Sequence, residues 1–165
     1  PVPEDQGSLL ASNILRRSYG RCVDQMTGVC REMMSGMFER YPHVRMVHSM
    51  LGGGFFAFKE MMVPTRSAGA DQVKRFDDNG EQLARYLSEN IFFETSHAQP
   101  WGRESLECAV RVLGSDHIIY GSSYPVRTEW LTEGAGFVRG MDLSGDDKEN
   151  SLWRNASRLY GIEVS

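Results

Sequence analysis

The stretch Leu113-Gly114-Ser115-Asp116-His117-Ile118-Ile119-Tyr120-Gly121-Ser122-Ser123-Tyr124-Pro125 decides the fold. Just before it, Leu106, Ala109, Val110 and Leu113 recur at three- and four-residue steps, so residues 103–113 read as a helix with one apolar face. Gly114 ends that helix as a C′ glycine does. Residues 117–121 read as a short apolar strand, and residues 122–125 as the turn beyond it. A helix that runs straight into a short apolar strand is the repeating step of a parallel sheet with helical crossovers.

The same step recurs upstream. Residues 91–95, Ile-Phe-Phe-Glu-Thr, read as a strand after a helix over 80–89 with Leu83, Tyr86 and Leu87. Residues 44–48 read as another strand, after a helix over 19–41 carrying Val23, Met26, Cys30, Met33, Met37 and Phe38. Arg21, Asp24, Gln25, Arg31, Glu32 and Arg40 supply its wet face, and Pro42 stops it. Residues 1–18 read as an arm or loop, and polar residues 65–79 as a loop or short turns. Phe55–Phe58 read as the opening of a helix. A helix is expected from Thr128, and a last one over 144–160 with Ser144 as N-cap. The expected fold class is α/β, with residues 19–165 as one unit.

Composition narrows the function classes. The chain has 165 residues, 41% of them hydrophobic, and a net charge of −4. This is ordinary globular usage, and the acidic balance argues against a nucleic-acid footprint. No stretch approaches the ~18 consecutive apolar residues of a membrane span. The start has neither the basic nor the apolar region of a signal peptide. Cys22, Cys30 and Cys108 are widely spaced and odd in number, which points to a reducing, cytoplasmic setting.

Ligands of parallel α/β folds bind at the carboxyl ends of the strands. The three strand ends carry His48, then Glu94 through His97, then Ser122 and Ser123. His48 is placed to act as general acid or base, to bind a metal, or to hydrogen-bond the turn. The run Gly52-Gly53-Gly54 offers backbone N–H groups to an anion, or a tight turn into a helix. It lacks the spacing and the lysine of a phosphate-binding loop. Glu94 and His97 form an acid/base pair or part of a polar wall. Trp101 and Arg103 contact a substrate or pack as core or lid. Ser123 has no G-x-S-x-G elbow around it and no assigned acid partner. His43 is expected at the surface, and His117 at the far end of its strand in a structural role.

Taken together, the strand ending in His48 with its glycine run, the 92–95 strand, the 113–125 stretch and the ending Asn155-Ala156-Ser157-Arg158-Leu159-Tyr160-Gly161 resemble the amidohydrolase-2 family. That group includes aminocarboxymuconate-semialdehyde decarboxylase and the resorcylate decarboxylases. The resemblance covers roughly residues 30–162. It implies a TIM (β/α)8 barrel, often dimeric, with a divalent metal, usually zinc, in its mouth. This chain matches only the last three βα units, strands six, seven and eight, so the remaining strands are expected from a further half or a partner chain, or the chain associates with itself.

By resemblance His48 matches the family's acid/base histidine, although Ser49-Met50-Leu51 separate it from the glycines where the decarboxylases run directly from His to Gly. The family's metal-binding aspartate after the last strand is Ser123 here, and no H-x-H pair is present. The chain therefore carries none of the family's usual metal ligands. The resemblance implies part of a hydrolase or non-oxidative decarboxylase for a small carboxylated or cyclic substrate. His48 and Ser123 would be catalytic, and Gly52, Gly53, Glu94, His97 and Trp101 would contact the substrate. The rival expectation is a non-catalytic structural or binding subunit of a larger assembly.

Overall fold

A computed structural model describes residues 12–63 and 80–163. Residues 1–11 of the expected arm and all of the expected 65–79 loop lie outside the described residues.

Three parallel strands form one sheet in the order β1-β2-β3, with β1 Met46–His48, β2 Ile91–Glu94 and β3 Ile118–Ile119. The register pairs His48 with Phe93, and Glu94 with Ile119. Each strand is shorter than its apolar run. The backbone of β3 turns to other partners at its ends. His117 belongs to a 3₁₀ turn, and the Tyr120 N–H donates to the Ser151 carbonyl at 2.7 Å.

The long helix α1 (Arg21–Met34) lies against the sheet. Its chain already turns helically from Asn13, through Asn13–Leu15 and a π-helical turn Arg16–Gly20. Ser12 caps that start by accepting from the Leu15 N–H. The helix therefore begins inside the stretch expected as an arm. It also ends earlier than expected, because Gly36 adopts the left-handed conformation (φ 66) before a short Met37–Arg40 turn. The helices α2 (Gly80–Glu89) and α3 (Arg103–Leu113) follow the expected ranges, and α4 (Thr128–Arg139) begins at the expected Thr128. The last helical run starts at Gly145, with Ser144 accepting from the Asp147 N–H, and closes in α5 (Asn155–Tyr160). Among the described residues no helix is long and apolar enough to cross a membrane.

The core joins Ile91, Phe93 and Ile118 of the sheet to Val29 and Met33 of α1, Leu83 of α2, and Leu106 of α3. These side chains are spaced at helical and strand periods, which is why the order of elements was readable. Asn155 is fully buried under β3, where its Nδ2 donates to the carbonyls of Ser115 and Ile118, both at 2.7 Å. Those two bonds tie α5 to the sheet and satisfy backbone groups at its edge.

Candidate functional site

After β1 the chain does not open a normal helix. Met50, Leu51, Gly52, Gly53 and Gly54 all have positive φ, from 50° to 92°. Glycine takes that conformation freely, but Met50 and Leu51 pay for their Cβ atoms. The turn is fixed by packing. A Cβ on Gly53 would overlap the Cys22 carbonyl oxygen, and one on Gly52 would press on the Phe93 ring and Val29. Gly52 and Gly53, both expected to contact a substrate, let the turn nest between α1 and β2, and both are buried. Phe55–Ala57 form a 3₁₀ turn, and the helix expected there is a single turn, Lys59–Met62.

His48 shares its face of the sheet with Phe93, its partner in register. It is 6% exposed, and its Nε2 stands 2.8 Å from Glu32 Oε2 of α1 without the alignment of a hydrogen bond. Glu32, expected on the wet face, is turned inward to make this contact. His43 is exposed, as expected. His117 is half-buried and donates from Nδ1 to the Ile91 carbonyl at 3.0 Å. Burial pushes its imidazole below the ordinary histidine value, against the pull of that hydrogen bond.

The polar groups beyond β2 and β3 form one connected rim. The Thr95 hydroxyl accepts from the Gly121 N–H at 3.1 Å, and the Gln99 amide donates to the Gly121 carbonyl at 3.0 Å. Glu94 accepts from the Ser96 N–H at 2.9 Å and from the Ser96 hydroxyl, and its carboxylate fills the space where a Cβ on Gly121 would be. The His97 N–H donates to the Ser123 hydroxyl at 2.7 Å, so the two loops are bonded directly. Both residues are left-handed, His97 at φ 58 and Ser123 at φ 57. The His97 ring meets Trp130 of α4 edge-on at 5.9 Å. Tyr120 holds that part of α4 by donating its hydroxyl proton to the Trp130 carbonyl. Trp130 also lines a cavity of about 350 Å³ with Gln99, Arg127 and Phe137.

The structure thus brings Glu94, His97 and Ser123 into one rim and places His48 on the Phe93 face, against α1. Trp101 packs on Phe56 beside the core, 6.4 Å between ring centroids. Sequence reasoning gave no individual role to Thr95, Gly121 and Trp130, and set Glu32 on the wet face. Only Gly121 carried a signal, as a glycine directly after an apolar strand.

The amidohydrolase family model matches residues 19–162. A gamma-resorcylate decarboxylase from Polaromonas sp. (strain JS666) is 23% identical over 132 residues, covering 80% of this chain and 39% of the relative. The structure of 2,6-dihydroxybenzoate decarboxylase from Rhizobium superposes with a TM-score of 0.77 at 19% identity, covering 99% of this chain and 49% of that one. A dihydroxybenzoic acid decarboxylase from Polaromonas sp. JS666, with bound manganese and 2-nitroresorcinol, gives 0.73 at 20% identity and covers 48% of that chain. The chain spans at most about half the length of each of these relatives.

A metal centre is not assembled by these residues. Among the described residues no group of three or more His, Cys, Asp or Glu side chains converges as a metal site. At the rim, the Glu94 carboxylate is engaged by Ser96, and Ser123 offers a neutral hydroxyl that already accepts from His97. That is a poor donor set for a divalent cation.

Proposed function

Because the chain belongs to the amidohydrolase family, we propose that it is the C-terminal three βα units of a (β/α)8 barrel. The barrel carries out a non-oxidative decarboxylation, or a related hydrolysis, of a small carboxylated or cyclic substrate. The observation that supports this best is the family match over residues 19–162, which spans a parallel sheet whose polar groups gather at the carboxyl ends of the strands. Glu94, His97 and Ser123 line the mouth. His48 is assigned, with Glu32, to hold α1 on the sheet, in place of the acid/base role the resemblance implies. Any metal is held by ligands from the other half of the barrel, carried by further chain or by a partner chain. The free thiols Cys22, Cys30 and Cys108 suit a reducing compartment such as the cytoplasm.

The test is the native mass of the protein as expressed from its gene, with CO2 release from 2,6-dihydroxybenzoate in the presence of manganese or zinc. An assembly larger than a lone 18.6 kDa chain that releases CO2 is expected. A chain that stays alone, or pairs only with itself, and releases none favours the second reading, a non-catalytic structural or binding subunit. The engaged Glu94 and the neutral Ser123 are the observations on that side.

A further inference from the structure

On the decarboxylase reading above, we propose that His97 is the chain's own substrate-facing imidazole, and that Ser123 is the residue that positions it.

The chain has four histidines. Three are committed elsewhere. His43 is exposed and precedes β1, at the amino end of the sheet. His117 opens β3 at that same end and bonds the Ile91 carbonyl. His48 is buried against Glu32. Only His97 lies past the carboxyl end of a strand, part-exposed, with no hydrogen bond from its ring nitrogens to another described residue. The other titratable group of the rim, Glu94, is engaged by Ser96.

The backbone is built to hold that imidazole. His97 and Ser123 both adopt a left-handed conformation that costs a residue with a Cβ atom, and the two are bonded to one another at 2.7 Å. Paired strain of this kind persists only where the surroundings enforce it, and it gathers at ligand sites. The Ser123 hydroxyl fixes the His97 main chain, and Trp130 limits the ring to an edge-on position. A neutral or protonated imidazole presents an N–H to a ligand oxygen. On the decarboxylase reading, that oxygen belongs to the carboxylate or phenolate of a small substrate.

The experiment follows the histidine ring resonances of the intact protein by NMR while 2,6-dihydroxybenzoate is added, alongside CO2 release. The His97 ring should shift saturably and that of His43 should not. His97→Ala should weaken binding by about tenfold or more, the effect of losing one hydrogen bond to a charged group. Ser123→Ala should change the His97 ring shift and weaken binding, and Ser123→Asn, which keeps an acceptor and tolerates the left-handed conformation, should restore both. A His97 response without CO2 release upholds the inference and removes the decarboxylase reading. CO2 release with His97→Ala binding within about twofold of the parent does the reverse. Neither a ring response nor CO2 release overturns both.

Discussion

His48 Nε2 and Glu32 Oε2 stand 2.8 Å apart where β1 meets α1, with side chains 7% and 23% exposed. A close polar contact this far from water is costly to break from one side, because the group left behind keeps its desolvation penalty without a partner. His48→Ala and Glu32→Ala should each cost about 1–3 kcal/mol, the penalty of a buried polar group left without its partner. The double variant should lose less than the sum of the two, with a coupling of about 0.5–3 kcal/mol. Urea denaturation of the four proteins checks this, and additive losses would dismiss the pair as a structural unit.

The turn after β1 separates two glycines that look alike in the sequence. Gly53 has φ 68, and a Cβ there would overlap the Cys22 backbone. Gly54 has φ 92 with nothing near its missing Cβ. Gly54→Ala should cost about 1–2 kcal/mol, the conformational penalty alone. Gly53→Ala adds a clash with main chain that cannot swing aside, so it should cost more than about 3 kcal/mol or prevent folding. Thermal melts of the two variants give the comparison, and equal losses would show that packing at Gly53 is unimportant.

How much of this was legible follows from the kind of signal each feature leaves. The strands in order, α2, α3 and the Ser144 cap were readable because apolar period and capping chemistry are local. The helix start near Ser12 was missed because few apolar residues mark its face, although Ser12-Asn13 is a fair cap signature. The left-handed Met50 and Leu51 leave no trace, since neither residue type favours positive φ. His48 was legible as a strand end but not as facing α1. Alternation sets which face His48 takes relative to its strand neighbours, but neither its register partner Phe93 nor the inward turn of Glu32 follows from it. The His97–Ser123 bond joins residues 26 positions apart and depends on the sheet register, which single-chain periodicity does not supply.

Asn155 shows what a fully buried polar residue does at the start of a helix. It is 0% exposed, donates to the Ser115 and Ile118 carbonyls, and accepts from Arg158 at 2.7 Å. Asn155→Leu should cost about 2–4 kcal/mol, because it leaves two carbonyl groups without donors beneath β3. Asn155→Asp should be at least as damaging, since it sets a carboxylate against two carbonyl oxygens. Chemical denaturation decides the matter, and a loss within about 0.5 kcal/mol for Asn155→Leu would mean water replaces the amide.

His117 should make folding sensitive to mild acid. Its burial holds the imidazole below its ordinary value in the folded chain, with Arg158 acting in the same direction, while the Ile91 carbonyl and Asp116 pull the other way. The unfolded chain then binds more protons than the folded one at and below about pH 6.5. Stability contributed by this site is present above that pH and is lost as pH falls toward the folded-state value. His117→Gln retains a donor for Ile91 but cannot titrate. The difference in urea midpoint between parent and variant should therefore change steadily from pH 7.5 down to pH 5, with the parent losing ground. A difference that stays constant across that range would place the proton equally in both states and contradict the burial argument.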